Sequence, residues 1–465
     1  MTTALNATAP GDIYRNRRSR LAQRLDRPML LCAGHAPARN YPANSYPFRA
    51  GSSYLYYGGP PIEHAALLVQ PGSDGHDGCT LLRPRPGPDD PLWLGPVPSD
   101  CELADWAGLP PGAVRDLDQL PDLLRTQSQK TAFVCPPRPE TLAWLATLGA
   151  ESASAAELTP IIDQRLIKDD HELAAMRRAA AVTGEAHRAA MAATRPGRRE
   201  ADVAAAFVAI LTAHQCRPSF TPGVTVRGEV LHSHGYSNTL TDGALLLVDA
   251  GAEEPGGYAC DVTRTYPVGG RFTPIQRRLY EITLRAVDAA VAACVPGTRY
   301  RDVHDLAARV ICEGLVETGL LHGEPMDLVA RRAHTLFFPH GVGHLIGLDV
   351  HDMEDFGDPA GYAPGRTRRP GFGDKFLRLD RDLAAGMTVT IEPGIYLVPA
   401  IWERDDLVRP LADVVNRREV EALLRAAFGG IRIEQTICVR EIGGPEVLTA
   451  DLPTAPDEVL ACVGR

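Results

Sequence analysis

The sequence predicts a mixed α/β chain, α+β in arrangement, with a smaller N-terminal domain and a larger C-terminal domain made of two related halves. Three observations predict this. At 465 residues the chain is long for one hydrophobic core. Near residue 160 short apolar runs with turn signals give way to long helical segments. A helix–Pro-Gly–helix pattern then occurs twice at a fixed offset, as AAMAATRPGRREADVAAAFVAI from Ala189 and AAVAACVPGTRYRDVHDLAARV from Ala289. Pro196-Gly197 matches Pro296-Gly297, and Asp202-Val203 matches Asp302-Val303. Such an echo implies a duplicated half-domain with pseudo-twofold symmetry.

The first domain, residues 1–160, is an α/β unit in which Tyr54 to Tyr57 and Ala65 to Val69 read as strands around the turn Gly58-Gly59-Pro60-Pro61. The second, residues 161–465, opens on helices from Asp169 to Ala193 and from Glu200 to His214. Four strand-like runs follow, over Leu245–Ala250, Tyr258–Val268, Thr388–Val398 and Ile431–Val439. Gly256-Gly257 makes an antiparallel hairpin of the first two. Thr273-Pro274 with Gln276 is a helix start, since Thr caps, Pro is preset at the first position and Gln completes a capping box.

Composition removes several classes of function. A 45% hydrophobic and 23% charged chain is ordinary for a globular protein, and a net charge of −10 gives no reason to expect nucleic-acid or anionic-membrane partners. The ten cysteines include no CxxC pair, which argues against zinc ribbons and redox motifs. The N-terminus MTTALNATAPGDIYRNRRSR lacks a secretory apolar core, and no apolar run is long enough to span a bilayer. A cytoplasmic protein with reduced thiols is expected.

The chemistry lies in the second domain. Asp249 ends the apolar run LLLVDAG, where a carboxylate is costly unless something compensates its burial. Asp261 falls on the return strand, roughly opposite Asp249 if the turn centres near Pro255, and two carboxylates that close repel unless they share protons or a cation. His340, His344 and His351 cluster in a Gly-rich stretch. Glu392 and Glu434 each sit among β-branched residues of a strand. Asp, Asp, His, Glu and Glu form an oxygen-rich donor set with one imidazole, suited to Mn²⁺ or another borderline-hard divalent ion. Two ions would offset the charge.

The motifs VDAG…DVTRTYPV, HGVGH, TIEPGIY and IRIE, in this order, resemble the pita-bread metallopeptidases, specifically the aminopeptidase P and prolidase branch. The resemblance spans Asp163 to Thr449, and YPFRAGSSYLYYGG resembles that branch's N-terminal domain. It implies a pita-bread fold of two α/β halves around an antiparallel sheet, and a dinuclear exopeptidase that cleaves in front of a proline at the second position of a peptide. By position, Asp249 would hold one ion, Asp261 and Glu434 would bridge both, and His344 and Glu392 would complete the other. Glu392 would also shuttle the proton of a bridging hydroxide. The ions would be Mn²⁺ first, with Zn²⁺ or Co²⁺ as alternatives. His340 and His351 resemble residues that hold substrate and stabilise the tetrahedral intermediate. His232, beside His234, resembles a substrate-pocket histidine. Arg432 resembles an arginine that orients a carboxylate, and Tyr396 would stand on the pocket wall. The family also implies a homo-oligomer, dimer or tetramer.

Three features depart from the family pattern. Asp249 and Asp261 are 12 apart, one more than usual, with the extra residue expected in the turn Glu254–Gly257. Residues 355–373 and 400–428 read as surface insertions. Leu377-Arg378-Leu379-Asp380-Arg381 resembles the prolidase segment whose arginine grips a dipeptide's carboxylate, so a Xaa-Pro dipeptidase is the alternative activity. A catalytically silent binding relative and a metal-free hydrolase are disfavoured because all five ligand types are kept.

Overall fold

The computed structural model describes residues 11–233 and 235–464. His234, the neighbour of His232, lies outside the described residues, as do the first ten residues that were read for a leader. The chain divides into two compact units, Met1–Arg165 and Leu166–Arg465. Thr159-Pro160 is interior to a helix, Ala155–Leu166, which runs through the proline. Among the described residues no helix is long and apolar enough to cross a membrane. All ten cysteines are free.

The first unit carries a six-stranded mixed sheet. Met29–Cys32 pairs antiparallel with Ala66–Val69 and parallel with Ala132–Val134. Both central strands are buried along their whole length, as expected where helices cover both faces of a sheet. Leu30, Leu68, Leu82, Leu124, Phe133 and Leu145 belong to its core. The expected strand at Tyr54–Tyr57 is instead a short helix, Ser52–Tyr56. Tyr54, Tyr56 and Tyr57 are all buried, so tertiary packing of the aromatic rings overrides their strand propensity.

In the second unit the repeat becomes visible bond by bond. Helices Asp170–Ala193 and Glu200–Ala213 form one pair, Pro274–Ala293 and Tyr300–Glu317 the other. Asp169 with Glu172, and Thr273 with Gln276, close capping boxes at the two leading helices. Gly197 and Gly297 adopt φ of 85° and 87° in the connecting turns, a conformation open to glycine. The Gly197 N–H donates to the Leu240 carbonyl and the Gly297 N–H to the Leu383 carbonyl, both at 2.8 Å. Each turn thus clamps the segment leading into a sheet strand, Leu245–Asp249 in one half and Thr388–Ile391 in the other. Asp249 and Glu392 then fall at corresponding places, since Leu240 precedes Leu245 by the same step as Leu383 precedes Thr388.

The strands are shorter than the apolar runs suggest. Leu245–Asp249 lies between Gly223–Thr225 and Thr263–Pro267, antiparallel to both. The long run Thr388–Val398 splits into Thr388–Ile391 and Gly394–Tyr396, and its partner splits into Gly430–Arg432 and Gln435–Cys438. Pro393 has no N–H to give the ladder, which accounts for the first break. The helices pack on one face of these strands, with Phe207, Val224, Leu246, Val248 and Tyr266 in one shared core.

Candidate metal centre

Asp249 ends its strand, and its direct partner across the ladder is Thr263, which corrects the expectation that Asp261 stands opposite. The hairpin register centres on Gly256 rather than Pro255. Ala250 N–H donates to the Val262 carbonyl at 3.0 Å and Cys260 N–H to the Ala252 carbonyl at 2.9 Å, so the pairing carries on through the turn region. Gly251 permits this close approach, because a Cβ there would lie 1.7 Å from the Cys260 carbonyl oxygen. Asp261 is two residues from Thr263, hence diagonal to Asp249 on the same face of the sheet.

Glu392 and Glu434 lie at the two strand breaks. Ile391 pairs with Gln435 on one side and Gly394 with Arg432 on the other, one register throughout, which sets Glu392 opposite Glu434. His344 arrives on a segment laid against this strand. Its N–H donates to Thr390 Oγ1 at 3.1 Å, and the Glu392 N–H donates to the Val342 carbonyl at 2.7 Å. Between them Gly343 leaves no room for a side chain, with the Thr390 carbonyl oxygen 2.1 Å from where a Cβ would sit. His344 Nδ1 donates to the Leu345 carbonyl at 2.9 Å, which fixes the tautomer and aims Nε2 at the acids. That nitrogen is 3.6 Å from a carboxylate oxygen of Asp261 and 3.6 Å from one of Glu392.

Arg432 ties these elements together. Its guanidinium donates to the Asp249 carboxylate, to Thr263 Oγ1 at 2.9 Å and to the Tyr396 hydroxyl at 3.0 Å. Thr263 in turn donates to Glu434 Oε2 at 2.8 Å. The Tyr396 hydroxyl donates to His340 Nε2 at 2.9 Å, while His340 Nδ1 donates to the Gly341 carbonyl at 2.8 Å. Burial holds His340 neutral, down to about 3. His351 stacks edge-on to His344, ring centres 4.4 Å apart, and its burial also lowers its pKa. Two supports escaped the sequence reading. Thr263 joins Arg432 to Glu434, and the buried Arg264 binds the Thr263, Glu434, Leu452 and Pro453 carbonyls. Both stand in the DVTRTYPV motif, the one signal that points to them.

The residues fit divalent metal ions. Ligand atoms of Asp261, His344 and Glu434 all lie within 4.8 Å of one another, and all three residues are buried. One oxygen each of Asp261 and Glu434 is buried without a hydrogen-bond partner. Burial, reinforced by the neighbouring carboxylates, pushes the Asp261, Glu392 and Glu434 carboxyls upward. Four acids face one guanidinium here, and cations are what would ionise all four together.

The site forms the floor of a cavity of about 630 Å³. Asp249, Asp261, His344, Glu392 and Glu434 line it, together with His232, His340, His351, Arg378 and Arg432. Tyr396 is the exception. It does not reach the wall but is fully buried behind it, because its hydroxyl is taken by His340 and Arg432. Arg378 pairs with Glu354 at the rim. Phe220, Phe372, Phe376, Val398 and Ile401 add an apolar wall that the sequence did not single out. Phe372 and Ile401 come from the two stretches read as insertions.

Residues 174–441 match metallopeptidase family M24, and residues 14–134 match the aminopeptidase P N-terminal domain. The Xaa-Pro aminopeptidase of Haemophilus influenzae is 31% identical, with 97% of each chain covered. The structure is similar to aminopeptidase PepP of Pseudomonas aeruginosa, with a TM-score of 0.79 and 28% identity over 97% of this chain and 98% of that one. It is equally similar to proline aminopeptidase P II from Yersinia pestis, at 0.79 and 29% over 97% and 99%.

Proposed function

The chain belongs to metallopeptidase family M24, and from that premise we propose that it is a Xaa-Pro aminopeptidase, releasing the N-terminal residue in front of a proline. The observation that supports the site assignment most strongly is the group of Asp261, His344 and Glu434, buried in the cavity with one oxygen each of Asp261 and Glu434 left without a hydrogen-bond partner among the described residues. Asp249, Asp261, His344, Glu392 and Glu434 hold two divalent ions in this reading. Mn²⁺ is the preferred ion, because the donor set is mostly oxygen. Ions held by these residues would supply polarisation of the scissile carbonyl and a lowered pKa for the attacking water.

The protein's own groups do the rest. Glu392, on the cavity wall beside His344, takes and returns the proton of the attacking water. His340 and His351 stand on the cavity wall on either side of His344, placed to donate hydrogen bonds to charge that develops on the substrate carbonyl. His340 does so only by turning its single N–H away from the Gly341 carbonyl. Arg432 holds the Asp249 carboxylate and Thr263 fixed, so the acids keep their places before substrate arrives. The aromatic and aliphatic wall suits the apolar proline ring and excludes water. The free thiols of all ten cysteines support a cytoplasmic setting.

A comparison of Xaa-Pro with Xaa-Pro-Xaa peptides, each with and without added Mn²⁺, tests the activity. Metal-dependent release of the first residue from the tripeptide is expected. Turnover of the dipeptide alone would make the protein a Xaa-Pro dipeptidase, a reading supported by Arg378 on the cavity wall.

A further inference from the structure

Helix Tyr300–Glu317 carries a buried histidine, His304, that is not among the residues lining the catalytic cavity and lies near two short helical turns. One turn, Ala333–Leu336, brings His334, and the other, Asp374–Phe376, brings Asp374. Ligand atoms of the three lie within 4.8 Å of one another. The three residues are 3%, 3% and 7% exposed. Among the described residues, neither ring nitrogen of His334 has a hydrogen-bond partner, nor does Nδ1 of His304. Buried imidazoles nearly always find partners, so two in contact with unfilled nitrogens indicate something missing from the cluster.

We infer that His304, His334 and Asp374 form a third cation site, separate from the dinuclear centre, that takes a divalent transition-metal ion, Zn²⁺ first among them. Two imidazoles and a carboxylate are a donor set Zn²⁺ accepts, with a fourth position left for water. His334 and Asp374 open onto a cavity of about 540 Å³ that gives an ion and its water a way in. Burial keeps both histidines neutral, the form that binds metal. Arg332 pairs with Asp374 at 2.6 Å, and Arg369 stands 3.8 Å from both Asp374 and Asp305. A carboxylate has an oxygen for each task, and a guanidinium on the second oxygen is the usual support of a ligating acid. The cavity wall carries Asp302, Asp305 and Asp374 against Arg309, Arg332 and Arg369, three acids to three arginines.

The site would brace the catalytic cavity. The His304 ring is 5.3 Å from Phe338, whose ring is 4.9 Å from His340. Asp374 lies between Phe372 and Phe376, both on the catalytic cavity wall. An ion on Asp374 would therefore tie the segment bearing these aromatics to the helix behind them.

The test is a metal count. Full-length protein is stripped with chelator, reloaded with excess Zn²⁺, desalted and assayed for zinc per chain by elemental analysis. His334→Ala and Asp374→Asn should each bind one equivalent less than wild type and retain the remainder. The same difference of one should persist in an Asp261→Ala background, which separates this site from the dinuclear centre. Should His334→Ala fail to fold by circular dichroism, Asp374→Asn and His304→Gln decide. Equal zinc in wild type and the folded variants would overturn the proposal and leave a hydrated histidine pair. Loss of all zinc together in Asp374→Asn would equally count against a separate site.

Discussion

Arg432 touches Asp249, Thr263 and Tyr396 with three different nitrogens, and through Thr263 it reaches Glu434. At this scale the site is a set of acids whose charge the protein itself only partly answers. Removing a shared acid should therefore remove metal as well as turnover. Asp261→Ala and Glu434→Ala are expected to lose bound metal and activity together, whereas His351→Ala keeps its metal and falls in kcat. Metal analysis beside steady-state kinetics distinguishes them, and full metal content with normal turnover in either acid variant rules the assignment out. Arg378 makes a different case, since it stands at the rim with its charge shared by Glu354. A charge-assisted bond to a dipeptide's carboxylate is worth about 1.5–3 kcal/mol, so Arg378→Ala should lower Xaa-Pro kcat/KM by roughly 10- to 150-fold. Longer peptides carry that carboxylate elsewhere and should lose much less. Equal losses on both substrates would return Arg378 to a rim ion pair with Glu354.

At the scale of elements, the segment that carries Arg378 is fastened by its other charged residue. Asp380 is fully buried and accepts from Arg299 at 2.6 and 2.7 Å, with Arg301 at 2.6 Å. Arg299 belongs to the connecting turn of the second helix pair, so this ion group joins the repeat to the cavity rim. Burial opposes ionisation of Asp380, but Arg299 and Arg301 outweigh it and hold the carboxyl below its ordinary range. A depressed pKa stabilises the fold above the unfolded value of 3.8 and ceases to do so as pH falls through the folded one. Asp380→Asn should cost about 1–3 kcal/mol near neutral pH, because it takes the carboxylate from the buried Arg301 and the partly exposed Arg299. Denaturant titrations of wild type and variant should converge below pH 3.8, and a gap that stayed constant with pH would refute the ion-group account.

What could be read from sequence at this scale was local. The capping box at Thr273 and the two Pro-Gly turns depend on residues close together in the chain, and they stand where the sequence puts them. The hairpin turn sits one residue later than expected, which moves the partner of Asp249 by two, from Asp261 to Thr263, because the register depends on Gly251 fitting under Cys260, a contact the sequence does not display. Thr263 and Arg264 were passed over for a related reason. Their partners lie about 170 residues away in the chain, near Glu434. The five acid and imidazole candidates all reached one cavity because their residue types are rare on apolar strands.

For the whole molecule, metal binding should be felt in one unit and not in the other. The strand Leu245–Asp249, which ends on Asp249, and the strand Gln435–Cys438, which follows Glu434, belong to the second unit, Met29–Cys32 to the first. Ligand held at 100 times its Kd stabilises a fold by about 2.7 kcal/mol. Chelation should therefore speed amide exchange in these two strands of the second unit by roughly 100-fold wherever exchange follows opening of that unit, and leave Met29–Cys32 unchanged. Peptide-resolved hydrogen exchange reads this directly, and equal acceleration in all three would mean that metal stabilises the chain as a whole.

The matching turns at Gly197 and Gly297 carry one further consequence. Asp249 and Glu392 occupy equivalent positions in the two halves, so the scaffold offers its ions two places that are near copies. The imidazole is not copied, for His344 reaches only one of them, 3.6 Å from Glu392, while Asp249 is held by Arg432. Equal backbones with unequal donors give unequal affinities. A chelator titration should accordingly show two departures in sequence, the ion nearer Asp249 leaving first and the one beside His344 last.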